Sequence, residues 1–407
     1  MRVFMLGWEF PPYNVGGLGT ACYGLTKALS ALGVKVIFVV PKAPAEFDYD
    51  FLKVVNAGID LEHLEKYIPI DSGIIPYHES MSGPVILKND VVRNKKFQLY
   101  GSRIFDEVNL FAEKVLNVAS DFAFDLIHAH DWMTYPAAIK LKQKTGKPLI
   151  LHIHATSFDR GVIGINPRVY EIEKRGFQEA DLIVAVSEFT RRTVINKYSI
   201  NPEKVKVVHN GVLLNNKNNL YDVKIFPNDH IVSFVGRITI QKGPLYFVEA
   251  AKIVSEFIPN VKFLVTGSGD MLPQMIHRTA ELGLSDKIIF TGFLRGKELD
   301  KIYAMSDVYV MPSVSEPFGI TPLEAIANGT PVIISKQSGV SEVLNNCLKV
   351  DYWDVEKMAN YIIAVLRYNE LKETLRTHAF MEITNINWDN AAKRLEKIYE
   401  EVLNGCC

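Results

Sequence analysis

The chain has 407 residues, 48% of them hydrophobic, with 45 basic and 46 acidic side chains and a formal net charge of −1. That length is more than one ordinary core needs and suits two, and the balanced charge argues against nucleic acid as the main partner because no basic excess exists to neutralise phosphates. Four cysteines, Cys22, Cys347, Cys406 and Cys407, make neither a disulfide framework nor a metal-ligand spacing, so the expected compartment is a reducing cytoplasm.

The first expected strand is Arg2–Leu6, an apolar run far too short for a signal peptide. No apolar run in the chain approaches the roughly 20 residues of a membrane helix. After it comes Pro11-Pro12-Tyr13-Asn14-Val15-Gly16-Gly17-Leu18-Gly19, opening a helix whose apolar stripe is Leu18, Ala21, Cys22, Leu25, Ala28, Leu29 and Leu32, stopped by Gly33. Glycines let backbone approach a bulky anion and a helix start supplies donors, although a tight turn explains the same residues. A dinucleotide fingerprint fails here: the pattern from Gly17 reaches Cys22 instead of a third Gly or Ala, and Pro41-Lys42 stands where a ribose-binding acid is expected. Gly267-Ser268-Gly269 continues to Leu272 and fails as well. The second expected strand is Lys35–Val40. Residues 43–108 then break the alternation with Pro69, Pro76 and Pro84, which fits a specificity insertion. Within it, Asp48-Tyr49-Asp50 lacks a preceding hydrophobic strand and reads as chance, and the cations of Lys88 to Lys96 read as a solvated loop.

Further strands are expected at Leu126–Ala129, Leu149–His152, Leu182–Val186 and Val205–Val208. The first of these runs into His128-Ala129-His130-Asp131-Trp132. Alternating His on a strand point the same way, but no third ligand with a plausible pattern follows nearby. The preferred reading is one structural His and an Asp131 that faces a cleft. His152-Ile153-His154 ends the next strand, where His154 is equally a core group or a functional one. The Asn-rich stretch Leu213 to Asn228 reads as a linker. Beyond it lie expected strands Ile231–Val235, Lys262–Thr266, Lys287–Phe290, Val308–Met311 and Val332–Ile334, and a last helix, Trp388–Leu403. Strands apolar on both faces, alternating with helices, imply α/β structure with parallel sheets covered on both sides.

The most informative stretch is Ser315-Glu316-Pro317-Phe318-Gly319-Ile320-Thr321-Pro322-Leu323-Glu324. It carries the chain from an apolar strand into a helix that should begin at Pro322 with Thr321 as N-cap. The amides of Gly319, Ile320 and Thr321 would then form a phosphate nest beside two carboxylates, Glu316 and Glu324, a set that suits a nucleotide sugar. The plain alternative is a capping box, Thr321-x-x-Glu324, with Glu316 a solvated loop acid. Arg237 and Lys242 follow the strand Ile231–Val235 and can be either a solvated face or a clamp on a diphosphate.

Taken together, the Gly16-Gly17 loop, His128-Ala129-His130-Asp131-Trp132, Val186-Ser187-Glu188, His209-Asn210-Gly211-Val212, Gly236-Arg237 with Lys242-Gly243, and Glu316-x7-Glu324 resemble, in order, the retaining GT-B glycosyltransferases. The likeness is to glycosyltransferase family 4 and the glycogen and starch synthases, and it covers nearly the whole chain. It implies two Rossmann-like parallel-sheet domains facing across a cleft: residues 1–214 on the acceptor side with the insertion at 43–108, a linker at 215–229, a donor domain at 230–387, and a terminal helix and tail at 388–407 that can pack back on the first domain. It implies a metal-independent hexosyltransferase, without a cofactor, using an ADP- or UDP-linked sugar. Arg237 and Lys242 would neutralise the leaving diphosphate, Glu316 with Phe318, Gly319, Ile320 and Thr321 would sit at the donor, Glu324 at the ribose and Leu294 at the base. Gly16 and Gly17 would approach the phosphates, and His154 and Asp131 would line the sugar and acceptor side. A glycan acceptor is expected, with a lipid or small-molecule acceptor, peripheral membrane contact, or a nucleotide-sugar epimerase as alternatives. Two positions depart from the bacterial glycogen synthases: Asn14 replaces their Lys, and Gln337-Ser338-Gly339-Val340 replaces their Thr-Gly-Gly loop.

Overall fold

A computed structural model describes residues 1–11, 17–41, 48–57, 104–161, 164–214, 226 and 228–405. Gly16 and most of the expected linker and insertion lie outside these residues. The strands are β1 (Arg2–Leu6), β2 (Lys35–Val40), β3 (Asp48–Tyr49), β4 (Leu52–Asn56), β5 (Leu126–His130), β6 (Leu149–Ile153), β7 (Leu182–Ala185) and β8 (Val205–Val207) in one sheet, and β9 (His230–Val235), β10 (Val261–Thr266), β11 (Ile288–Gly292), β12 (Val308–Met311), β13 (Val332–Ser335) and β14 (Leu348–Val350) in another. Their order is β3-β4-β2-β1-β5-β6-β7-β8 in the first sheet and β11-β10-β9-β12-β13-β14 in the second. All five pairs of the second sheet are parallel, and β3 runs antiparallel to β4.

Every expected strand is present, with ends shifted by two residues at most. Three strands lie outside the expectation. β4 pairs parallel with β2 inside the range expected to be an insertion, and the helix Ile104–Ala119 also begins there. β14 is three residues with a lysine at its centre, too short to show a period. The two compact units are Met1–His152 with Arg175–Leu182 and Tyr399–Cys407, and Ile153–Lys174 with Ile183–Ile398.

In the first unit, β1 and β5 are buried almost throughout, and the helix Gly17–Ala31 buries the stripe read from the sequence, except that Leu32 beyond its end is only half-buried. The chain leaves β5 through Asp131, which is 2% exposed and takes φ 58. Its N–H donates to the His152 carbonyl (3.0 Å), and its own carbonyl accepts from the Thr134 hydroxyl (2.9 Å). A left-handed residue other than glycine costs free energy, least for Asn and Asp.

In the second unit a buried carboxylate organises the chain just after β6. Glu173, 1% exposed on the helix Pro167–Glu179, accepts from the Ser157 amide (3.1 Å), the Arg160 guanidinium (3.4 Å) and the Tyr198 hydroxyl. The Ser157 hydroxyl lies 2.9 Å from that of Tyr198. Burial raises the Glu173 carboxyl to about 7 against the opposing pull of Arg160 and these hydrogen bonds. Among the described residues no helix is long and apolar enough to cross a membrane.

Two outcomes follow from these buried groups. Because Glu173 binds its proton more tightly folded than unfolded, its contribution to stability is complete below the ordinary carboxyl range and is lost as pH rises through about 7. Glu173→Gln should remove that slope: the stability difference between the two proteins, measured by urea unfolding at pH 5 and pH 8, should change by up to about 3 kcal/mol, and parallel curves would refute it. Asp131→Asn should keep nearly the parent stability in urea, because Asn also tolerates φ > 0, whereas Asp131→Val should lose about 1–3 kcal/mol in the same assay.

Candidate active site

The order of the second sheet places β9 between β10 and β12, so the crevice where strand order reverses opens beyond the carboxyl ends of β9 and β12. Arg237 and Lys242 follow β9, and Glu316 follows β12. Lys242 closes a 3-10 turn, Ile240–Lys242, and Gly243 after it takes φ +66. A Cβ there would stand 2.1 Å from the Pro312 carbonyl oxygen, so only glycine lets the two loops touch. Gln241, 5% exposed, joins them: its carbonyl accepts from the Val314 amide at 2.8 Å, and its side-chain oxygen accepts from Arg237 Nη2 at 3.4 Å.

Glu316 is buried, and its Oε2 accepts from Lys242 Nζ and, at 3.2 Å, from the Ser313 hydroxyl. Its amide donates to the Gln337 carbonyl at 3.0 Å and its carbonyl accepts from the Gly339 amide at 2.9 Å. Glu316 is thus a held carboxylate beside an ammonium, not a solvated loop acid. Pro317 O accepts from Ser187 Oγ (2.5 Å) and Thr190 Oγ1 (3.3 Å). Phe318 is 2% exposed, and its carbonyl accepts from the Val340 amide at 2.7 Å. Gly319 takes φ +99 where the chain bends toward the next helix.

That helix runs Thr321–Ala327, with Ile320 rather than Thr321 in the cap position. The expected Thr321 cap is therefore displaced by one residue, and the capping-box alternative fails. The Thr321 hydroxyl accepts from Tyr309 (2.8 Å), while Glu324 Oε2 accepts from Tyr303 (3.1 Å). Burial raises the Glu324 carboxyl, Asp300 adds to that, and the Tyr303 hydrogen bond opposes it. The Tyr309 hydroxyl also lies 3.3 Å from the Val235 carbonyl at the end of β9, so it ties Thr321 to the strand that precedes Arg237. Ile320 and Leu294 pack half-buried on the same apolar cluster as Tyr303, Tyr309 and Phe318.

His154, half-buried, stands just beyond β6. Five residues later Asp159, 2% exposed, accepts from the Ser315 hydroxyl (2.7 Å), so this segment reaches the residue next to Glu316. Arg237, Lys242, Glu316, Phe318 and Gly319 thus share one pair of loops, Thr321 and Glu324 lie a tyrosine away, and His154 belongs to a segment bonded to them. Gly17 and Asp131 belong to the first unit. A Cβ on Gly17 would meet nothing within 4 Å, so packing does not require its glycine.

In the first unit, His128, His130 and His152 are fully buried, with nitrogens within 4.8 Å of one another. His152 is the third imidazole that spacing along the chain did not reveal, because it comes from the neighbouring strand. The rings lie face to face: His128 and His152 are 5.4 Å apart at 9°, and His130 and His152 are 5.1 Å apart at 26°. Near-parallel rings aim their in-plane lone pairs side by side rather than at one point. His128 Nδ1 lies 2.6 Å from the Tyr399 hydroxyl, a structural pairing.

Gln241, Ser313, Tyr303, Tyr309 and Asp159 complete the arrangement without having been singled out. Each is an ordinary residue in its local pattern, and only the fold brings it to the loops. The tyrosines sit among apolar residues and read as core, which their rings are.

Comparison with known proteins agrees with this fold. A family model described as Glycosyltransferase Family 4 matches residues 15–215, and one described as Glycosyl transferases group 1 matches residues 195–381. The chain is 29% identical to an uncharacterized glycosyltransferase of Methanocaldococcus jannaschii, covering 98% of each. It is 25% identical to a glycogen synthase of Mycobacterium tuberculosis over 85% of this chain and 80% of that one. It is 29% identical to a D-inositol 3-phosphate glycosyltransferase of Segniliparus rotundus over 69% and 67%. Among solved structures, the sucrose-phosphate synthase of Thermosynechococcus elongatus superposes with a TM-score of 0.78 at 19% identity over 99% of both chains. The catalytic domain of starch synthase IV from Arabidopsis thaliana, bound to ADP and acarbose, superposes with 0.70 at 16% identity over 99% of both. Two parallel-sheet Rossmann-like folds, two consecutive family matches and a relative alike along its whole length make this chain a member of the GT-B glycosyltransferases of family 4 and its glycogen-synthase-like neighbours.

Proposed function

We propose that the protein is a retaining, metal-independent hexosyltransferase that moves a sugar, glucose as the leading case, from an ADP- or UDP-linked donor to a glycan, in the manner of a glycogen or starch synthase. The observation that carries this reading is the junction of the loops after β9 and β12, where Lys242 meets Glu316 and Arg237 is held by Gln241. Two cations beside a buried carboxylate at a switch point match a diphosphate joined to a hydroxyl-rich ring. Arg237 and Lys242 would take the diphosphate oxygens, by fork and point charge respectively. Glu316 would accept from sugar hydroxyls and Glu324 from the ribose, with Leu294 against the base. Gly16, Gly17, Asp131 and His154 keep the roles that the family likeness implies, at the phosphates and on the acceptor side.

Chemically, the bond from the anomeric carbon to the phosphate oxygen breaks, the acceptor hydroxyl oxygen bonds to the same carbon on the same face, and its proton passes to the departing phosphate. Charge accumulates on that phosphate, so preorganised cations there carry most of the acceleration. Kinship with the M. tuberculosis glycogen synthase and the ADP-bound fold of starch synthase IV support the glycan version. The likeness to an inositol-phosphate glycosyltransferase supports a small-molecule acceptor as a second reading. Cytoplasmic residence fits the free, buried Cys22 and Cys347, whose thiols burial raises.

The test is release of nucleoside diphosphate from a panel of ADP- and UDP-sugars, with glycogen, maltooligosaccharides, inositol phosphate and lipid extracts as acceptors. Release that needs an acceptor is expected; donor conversion without one would indicate an epimerase instead. With the best pair, Arg237→Ala and Lys242→Ala should each lower kcat by about a hundred- to a thousandfold, about 3–4 kcal/mol; Arg237→Ala should melt near the parent temperature, and Lys242→Ala below it, because it leaves the buried Glu316 carboxylate without its ammonium. Near-normal turnover in both variants would remove these cations from the mechanism.

A further inference from the structure

We propose that Asp159 is a positioning residue for Glu316, acting through the Ser315 hydroxyl, and that Glu173 fixes the turn from which Asp159 acts. This rests on the donor-site reading given above. Ser315 immediately precedes Glu316, and its own backbone is weakly held: the amide lies 3.5 Å from the Gln241 carbonyl, at the outer limit of a hydrogen bond. The firm anchor is its side chain, whose hydroxyl donates to Asp159 Oδ1 at 2.7 Å across 156 positions of sequence. Hydrogen bonds to an ionised acceptor are the stronger class.

The other oxygen of Asp159 is committed to its own turn, accepting from the Thr156 amide and the Thr156 hydroxyl, both at 2.8 Å. With 2% of its surface exposed, Asp159 has, among the described residues, one hydrogen-bond partner outside that turn, Ser315. Burial raises its carboxyl and all three donors pull it back, so the anionic form depends on their staying in place.

The turn itself is four residues, Ser157–Arg160, too short to be stable alone. Glu173 holds both ends, through the Ser157 amide and the Arg160 guanidinium, and Tyr198 bonds to Glu173 from the helix Glu188–Tyr198. The chain of fixed contacts is therefore Glu173, the turn, Asp159, Ser315 and Glu316. A carboxylate misplaced by about 1 Å at a reacting sugar costs on the order of a hundredfold in rate, whereas the diphosphate grip of Arg237 and Lys242 does not pass through Asp159.

The experiment is a double-mutant cycle on Asp159→Asn and Ser315→Ala, with kcat, donor KM, the Kd of ADP and UDP alone, and melting temperature measured for each protein. Each single variant should lower kcat by roughly ten- to a hundredfold and leave nucleoside diphosphate affinity within about twofold. The double variant should be no worse than the weaker single, and Ser315→Thr, which keeps the hydroxyl, should recover most of the rate. Glu173→Gln should lower kcat in the same direction and change its pH profile between pH 6 and 8 (roughly the range where a carboxyl raised to about 7 titrates). Multiplicative effects in the cycle, a kcat unchanged in both singles, or a loss of diphosphate binding equal to the loss of rate would each overturn the proposal. If the parent protein releases no nucleoside diphosphate from any donor, the transferase reading falls and takes this one with it. If the parent turns over and the variants match it, only the positioning role falls.

Discussion

A carboxylate and an ammonium, both largely out of water, face each other where the loops after β9 and β12 meet. Burying either charge alone would cost several kcal/mol, so each is tolerable only while the other stays close and well aligned. That demand extends outward from the pair. Glu316 is fixed by Gln337 and Gly339 on its backbone and by Ser313 on its side chain, and the turn that ends in Lys242 is tied through Gln241 to Val314. The parallel sheet supplies the frame, because β9 and β12 are neighbours whose carboxyl ends emerge side by side.

Around this pair the polar groups form a graded environment. Glu324 is half-buried, its carboxyl raised by burial and by Asp300, with Tyr303 as its hydrogen-bond donor. Tyr309 links the end of β9 to Thr321, and burial, with a smaller push from Glu316 and Glu324, raises its hydroxyl against the Thr321 hydrogen bond, so it stays a neutral donor. On the side facing Ser315 stands Asp159, itself held by a turn that Glu173 anchors. The same second unit thus contains a cationic edge, a buried carboxylate beside it and a scaffold of hydroxyls and acids with named partners.

How much of this was legible in the chain differs by level. Strands such as Val308–Met311 and Val332–Ser335, four residues long and fully buried, announce themselves by continuous apolar character. β4 and β14 do not, because a lysine interrupts each. The Lys242–Glu316 relation was legible only as two charges near strand ends; their contact across 74 positions follows from strand order, which local pattern does not encode. The Thr321-x-x-Glu324 spacing was locally ambiguous, and tertiary partners decided it: Tyr303 and Tyr309 drew both side chains away from the helix start. Likewise His152 joins His128 and His130 only because β6 lies beside β5.

The seam at Gly243 has a consequence of its own. With the Pro312 oxygen lying where a side chain would begin, there is no cushion of movable atoms between the two loops. Rotamer changes cannot absorb a displacement there, so backbone must push on backbone. Gly243 and Pro312 should therefore shift together, whereas Glu316, four residues beyond that seam, keeps the freedom its own loop allows.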